Sequence, residues 1–529
     1  MVSLLNPVFE GIAGRPLGYA AVKASTLVGL TSQPVTIEVT CTRGPPLFQM
    51  VGLPEAPVRE ARVRISSALA CLDVLMDEYA ITVNLAPADV RKNGATLDLA
   101  LATGVLAAVG KFPPELLEDL LVLGELSLDG SVQPMRGVLP QLSGALNGRL
   151  NTAIVPAANA REAGLFDRGT VYIASHLADV VDHLAGKREL PVAPRTTFTP
   201  GGSDPTLGDL MHVHGQSTAR RALEVAAAGG HNLLMLGPPG AGKTMLARLL
   251  RTILPPLDFQ EAIEATSVHS VAGLLSADKG MVTERPFRAP HHSVSDAGLV
   301  GGGSNPRPGE VSLAHHGVLF LDELPEFRRS AIEALRQPLE DGIVSIARSR
   351  FRAHFPARPL VIAAMNPCPC GFKSPGRLAQ NCRCSPAMVD RYRQKLSGPI
   401  LDRFDLHVLV PPVDVRALSQ GSHSETSATV RERVTIARDR QLARNKRGET
   451  SRRTNSELPL DELKRITALS EGSRKLLENA ALKLGLSARA FVKVLRVART
   501  LADLEGADTV GSGQIAEAIQ GRILDRREG

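Results

Sequence analysis

"NLLMLGPPGAGKTMLARLLRTIL", residues 232 to 254, decides the fold. An apolar run, NLLML, is followed by Gly237-Pro238-Pro239-Gly240-Ala241-Gly242-Lys243-Thr244 and then by the helix-like MLARLLRTIL. The middle piece is a complete G-x-x-x-x-G-K-[ST] phosphate loop in its required setting, between a strand and a helix. Its glycines let backbone N–H groups wrap phosphates at a helix N-terminus. Lys243 reaches the β and γ phosphates, and the Thr244 hydroxyl binds magnesium. The expectation is a parallel α/β domain holding ATP and Mg2+.

Further along, Gly317-Val-Leu-Phe-Leu-Asp322-Glu323 reads as a buried strand ending in two carboxylates. Phosphoryl transfer to water needs an acid to hold the metal and a group to polarise the attacking water. Asp322 fits the first role and Glu323 the second. The next apolar strand, LVIAAMNP, ends at Asn366, a polar side chain suited to sensing the γ-phosphate or holding the water.

At 529 residues the chain is long enough for two to four domains. Residues 1–188 alternate strand-like runs (VTIEVT, YAITVNLAP, NTAIVP, TVYIA) with helical ones (VREARVRISSALACL, LDLALATGVLAAV), giving an α/β domain. Residues 189–206 read as a Pro-, Thr- and Gly-rich linker, 207–412 as the ATPase domain, and 413–529 as a joint plus an all-α lid. The joint SQGSHSETSATVRERV, 419–434, is expected to be mobile. No secretory signal or membrane-length apolar run is visible, and the six cysteines suit free thiols or metal ligands better than disulfides, so the expected location is the cytoplasm, with no membrane partner. Charge is concentrated. From Ile346 to Pro399 there are ten lysines and arginines against one acid, Asp390, in a chain whose net charge is only +7. Such a stretch suits a polyanion partner, or else a solvated surface.

The phosphate loop, the Asp322-Glu323 strand and Asn366 together resemble an AAA+ ATPase. ILDRFDLH resembles the segment bearing an arginine finger in related ring ATPases, which nominates Arg403; LSARAF is similar to the second sensor of the lid, which nominates Arg489. A finger acts on the neighbouring subunit's ATP, so the resemblance implies a homo-oligomeric ring, taken as a hexamer. GQSTARRALEVAAAGGHNLLMLGPPGAGKT, RPFRAPHHSVSDAGLVGGGSNPRPGEVSLAHHGVLFLDELPEF and AAMNPCPCG, with QMVGLPEAPVRE and ITVNLAPADVRKNGATLDLALATG nearer the start, resemble the Mg-chelatase-like ComM/YifB family almost end to end. That family implies an insertion after the ATPase domain's second helix and a β-hairpin before the Asn366 strand. The hairpin would be IVSIARSRFRAHF, 343–355, with Arg348, Arg350 and Arg352 on one face by strand alternation, gripping single-stranded or branched DNA. The implied function is a DNA motor of helicase or branch-migration type in recombination or transformation. The alternative is a chelatase-type ATPase subunit that remodels a separate protein.

Residues 80 to 160 resemble the proteolytic domain of Lon, which pairs a serine with a lysine base. Thr96 falls near the serine position and Gln141 near the lysine position, and an amide cannot take the hydroxyl proton, so no peptidase activity is expected. The pairs His291-His292 and His315-His316 match text typical of the ComM/YifB family; structural polar contacts or nucleotide-to-pore coupling are both open readings. Cys368, Cys370, Cys382 and Cys384, spaced C-x-C-x11-C-x-C, offer four soft ligands for a structural zinc; free thiols or an oxidative disulfide are the alternatives.

Overall fold

A computed structural model of the chain describes residues 18–54, 56–90, 92, 95–146, 148, 150–202, 205–303, 305–348, 351–373, 381–412, 424–522 and 524. Two separate sheets organise it. The first has seven strands in the order Leu47–Val51, Tyr79–Ala86, Thr31–Arg43, Gly18–Val28, Leu120–Val122, Thr152–Pro156, Thr170–Ala174. Its long antiparallel hairpin (Gly18–Val28 with Thr31–Arg43) alternates buried and half-exposed residues, as a sheet covered on one face should. Against that face lies helix Asp98–Ala108, every residue of which is buried. The acid at its start, Asp98, is matched by Arg64, whose Nε and Nη2 donate to the carboxylate at 2.6 and 3.1 Å.

The second sheet has five strands, all parallel, in the order Phe287–Arg288, Val318–Leu321, Leu360–Met365, Leu233–Leu236, Leu406–Leu409. Val318–Leu321, Leu360–Met365 and Leu233–Leu236 are buried along their whole length, the pattern of parallel strands covered on both faces. The first of these strands in the chain, Leu233–Leu236, sits between the fourth and the fifth. The phosphate loop, Asp322 and Asn366 therefore leave the carboxyl ends of adjacent strands side by side, at the point where α/β sheets bind ligands.

One core runs through this sheet into the C-terminal helices. Met235, Phe320 and Ile362 of the sheet share a cluster with Val434 of helix Ser427–Lys446, Leu477 of Glu471–Leu484 and Val494 of Ala488–Glu505. Polar ties reinforce it: Lys493 Nζ donates to Phe404 O at 3.0 Å and pairs with Asp405 at 3.2 Å, while His231 faces Asp405 at 3.4 Å and Thr500 Oγ1 at 2.8 Å. Burial pushes the Asp405 carboxyl up, but Lys493 and His231 outweigh it and hold it below the usual range. The expected mobile joint is corrected in part. Residues 419–423 lie outside the described ones, but Ser427 to Val434 form the first two turns of a 20-residue helix with Ser427, Val430 and Val434 buried.

The part of the chain around the seven-stranded sheet grips the part around the five-stranded one at two points. Leu139 and Leu165 pack against Leu257, Ala262 and Met281, and the buried Glu162 accepts from Leu139 N at 2.9 Å and from Ser270 Oγ of helix Phe259–Ala272. At the other point, the turn Val28–Leu30 packs beside the second hairpin's apolar face: a Cβ at Gly29 would lie 3.1 Å from His354 O.

That hairpin, Ile343–Arg348 with Phe351–Pro356, forms where expected, but Arg348 and Arg352 do not fall in one register. Arg348 pairs with Phe351 and Ala347 with Arg352. Direct partners share a face. Arg348 therefore holds the register of the buried Val344 and Ile346, and Arg352 holds that of the exposed Ser345 and His354. Alternation predicted one face because it treated 343–355 as a single strand rather than two paired ones. Arg350 lies outside the described residues. A smaller hairpin, Gly301–Gly302 with Arg307–Pro308, stands between helices Asp296–Val300 and Glu310–Leu313, ahead of the carboxylate strand.

A candidate ATP site and the family it belongs to

The phosphate loop is built from residues that tolerate no larger side chain. Gly240 and Gly242 have φ of 75° and 82°, a left-handed backbone that glycine adopts freely, and a Cβ at Gly237 would lie 2.3 Å from Val410 O. Helix Lys243–Ile253 starts at the loop, so its unpaired N–H groups face the phosphate position.

The site brings together five of the residues singled out from sequence. Lys243 Nζ donates to Gly237 O at 2.7 Å, Pro238 O at 3.0 Å and Asn366 Oδ1 at 3.2 Å, which uses all three of its donors. Burial lowers its pKa, an effect that Asp322 and Glu323 oppose. Thr244 Oγ1 donates to Asp322 Oδ2 at 2.8 Å, a hydroxyl and a carboxylate placed to share one hard cation. Glu323 is exposed, with φ of 52°. A non-glycine residue there costs about 1–3 kcal/mol, and strain of this kind clusters at functional positions.

Two further residues join the site: Gln216, which the sequence reading passed over, and His292, whose role it left open. Gln216, buried at the start of the ATPase unit, donates through Nε2 to Ala241 O at 2.7 Å and Pro411 O at 3.2 Å, fastening the phosphate loop to the end of a neighbouring strand. It lies within the stretch GQSTARRAL, where nothing signals the direction of its side chain. His292 is the other: its Nδ1 stands 3.5 Å from Glu323 Oε2 and its ring meets Phe327 edge-on.

Arg403 and Arg489 are not at this site. Both line a cavity of about 630 Å³ that also touches Asn232, Gly317 and Leu360, residues at the amino ends of the strands. The sheet thus separates them from the phosphate loop of their own chain. Arg403 Nη2 is paired with Glu340, and the Arg403 side chain is 12% exposed; Arg489 is exposed.

The magnesium chelatase subunit ChlI profile matches residues 209–418, and companion profiles for the same subunit match residues 37–159 and, for its C-terminal part, 424–522. Competence protein ComM of Haemophilus influenzae is 43% identical over 514 residues, 96% of this chain and 98% of its own. The uncharacterized proteins YifB of Salmonella typhimurium and Escherichia coli are 42% and 40% identical over 511 and 512 residues, with the same coverage. The chain belongs to the ComM/YifB family.

As a ComM/YifB protein it is a magnesium-chelatase-like AAA+ chain with a parallel sheet and a helical C-terminal region. Among the described residues no helix is long and apolar enough to cross a membrane. The four sulfurs of Cys368, Cys370, Cys382 and Cys384 all lie within 4.8 Å of one another, an arrangement compatible with a structural metal.

A second cluster mimics a metal site and is not one. Glu264, His315 and His316 gather equally closely, with both Nε2 atoms on Glu264 Oε2, at 3.1 and 2.8 Å. However, Arg358 N donates to His315 Nδ1 at 3.1 Å, so the ring's proton is on Nε2, where a metal would have to bind. The pair instead clamps helix Phe259–Ala272 to the start of the carboxylate strand. Hydrogen bonds from His315 and His316 hold the Glu264 carboxyl well below the usual range, and burial pushes His315 down to about 4. The His315 shift predicts an acid sensitivity. Its folded pKa lies below its ordinary 6.5, so the unfolded chain takes up this proton first as pH falls. This contribution, at most ~3 kcal/mol, is complete above pH 6.5 and is lost down to about 4. The thermal midpoint should fall over that window, and His315→Asn should flatten the fall; an unchanged profile in that variant would remove His315 from the account.

Proposed function

We propose that this protein hydrolyses ATP with magnesium, that it works as a ring of copies, six by the AAA+ resemblance, and that its track is DNA. The observation that carries the reading is the split of the catalytic set. Lys243, Thr244, Asp322, Glu323 and Asn366 converge at the carboxyl ends of the strands, while Arg403 and Arg489 stand at the amino ends. A complete site then needs the phosphate face of one copy against the arginine face of the next.

In that site the loop amides and Lys243 bind the β and γ phosphates, and Thr244 with Asp322 orients the cation. Glu323 takes the proton of the attacking water, and Asn366 holds that water or the γ-phosphate. Magnesium supplies charge neutralisation on the phosphates when bound. Arg403, delivered by the neighbour and assisted by Arg489, offsets the charge that builds on the γ-phosphoryl group.

DNA as the track is supported by the basic segment from Ile346 to Pro399, by the exposed Arg352 at the hairpin and by the likeness to ComM, a relative whose name ties it to competence. A role in recombination or transformation, by helicase or branch-migration action, follows from that likeness. The boundaries proposed for the units stay at 1–188, 189–206, 207–412 and 413–529. We take the first unit to be Lon-like and without peptidase chemistry: Gln141 is buried, and its Oε1 accepts from Ser25 Oγ at 2.9 Å rather than serving a nucleophile.

The test is ATP turnover with and without single-stranded and forked DNA across a salt series. Turnover should rise with DNA, and DNA affinity should fall steeply with salt, with a log–log slope of roughly −0.7 to −0.9 for each phosphate the protein neutralises. Arg350→Glu with Arg352→Glu should weaken binding and reduce that slope by about 1–2. Turnover indifferent to DNA, with binding unchanged in the double variant, would leave the second reading. That reading, an ATPase subunit remodelling a partner protein, is favoured by the chelatase-subunit match over three spans of the chain.

A further inference from the structure

The four-cysteine group stands directly against the ATP site. Cys368 follows Asn366 by two residues, and Asn366 Oδ1 accepts from Lys243. Gly371, at φ of 84°, lies on the phosphate loop so closely that a Cβ there would come 2.5 Å from Pro239 Cδ and 2.7 Å from its Cγ. The turn Cys368–Gly371, closed by Gly371 N donating to Cys368 O at 3.0 Å, is therefore part of the wall behind Gly237–Thr244.

We propose that Cys368, Cys370, Cys382 and Cys384 hold one structural zinc ion, and that the metal-closed turn props the phosphate loop through Gly371 and Pro239. Zinc–thiolate bonds of about 2.3 Å at tetrahedral angles put sulfurs about 3.8 Å apart. The Cys368–Cys370, Cys370–Cys382 and Cys368–Cys382 separations are 3.4, 3.7 and 3.9 Å. All four thiols are free, and Cys368 is fully buried. Backbone amides face the sulfurs, as they do around metal-bound thiolates: Lys373 N donates to Cys368 Sγ at 3.3 Å, and the amides of Phe372 and Arg383 point at Cys370. With four protein ligands the site is closed, so the ion takes no part in hydrolysis. The tight C-x-C spacing brings each pair of ligands in from one short turn, and the long gap lets the second pair, Cys382 and Cys384, return to the first. The metal thus ties the segment after Asn366 back onto itself beside Pro239.

The propping half of this proposal rests on the phosphate loop binding ATP, and the experiment separates the two. The full-length chain, purified without added metal, is analysed for zinc by mass spectrometry and titrated with a fluorescent ATP analogue. About one zinc per chain is expected, lost in Cys382→Ser/Cys384→Ser together with about a tenfold weakening of ATP binding. Gly371→Ala should keep its zinc and a native circular dichroism spectrum yet bind ATP about tenfold more weakly, because the added methyl pushes Pro239 out of the loop. A native chain free of zinc overturns the metal site. Zinc present with Gly371→Ala binding ATP as tightly as the native chain overturns the propping. If the native chain and Lys243→Ala alike fail to bind ATP, the ATP reading falls, while the zinc count still stands or falls by itself.

Discussion

Arg403→Ala is expected to bind ATP almost as tightly as the native protein and to hydrolyse it at least ~10³-fold more slowly, the scale of losing an arginine finger. The reason is positional. Arg403 is on the far side of the parallel sheet from Lys243 of its own chain, so its removal leaves the nucleotide's binding contacts untouched. It also predicts complementation. Arg403→Ala keeps an intact phosphate face, and Lys243→Ala keeps an intact arginine face, so mixing the two inactive variants should restore part of the activity at the mixed interfaces. Weakened ATP binding in Arg403→Ala, or no recovery in mixtures that demonstrably co-assemble, would show that Arg403 acts within its own chain or only as Glu340's partner.

Glu323→Gln is the second large effect. It should retain ATP and magnesium and slow turnover by ~10²–10⁴-fold, since an amide cannot take the proton of the attacking water. Lys243→Ala, by contrast, should lose nucleotide binding outright, because the ammonium that now satisfies Gly237 O, Pro238 O and Asn366 Oδ1 is the group that meets the phosphates. Normal turnover in Glu323→Gln would take the base role from Glu323 and point to its neighbour His292, 3.5 Å away.

Much of the nucleotide site was legible in the sequence because its chemistry is local. A phosphate loop needs glycines at fixed spacing between a strand and a helix, and a carboxylate just after a buried apolar run lies at the carboxyl end of its strand. The sheet then brings Asn366 beside Lys243 without further information. What stayed hidden depends on contacts between distant segments. Gln216 supports the loop from 25 residues away, and His292 meets Glu323 across a reversal of the chain. Neither carries a local signal. The hairpin error has the opposite origin: a period-two reading treats 343–355 as one strand, whereas the pairing of two strands puts Arg348 and Arg352 in opposite registers. The histidine pairs needed tautomers to interpret, and the one at His315 is set by the Arg358 amide, which sequence spacing does not reveal.

The core shared between the parallel sheet and the C-terminal helices limits where mechanical work can originate. Prying Val434, Leu477 and Val494 away from Met235, Phe320 and Ile362 would wet a continuous apolar seam, strip Asp405 of Lys493 and strip His231 of Thr500. Each buried aliphatic side chain exposed in that way costs about 1.5–3 kcal/mol, so opening the whole seam exceeds what one ATP can drive. A power stroke that opened this seam would therefore be too expensive. In the ring proposed above, this core favours copies that each move as one stiff body, with the hinge at the joint between one copy and the next.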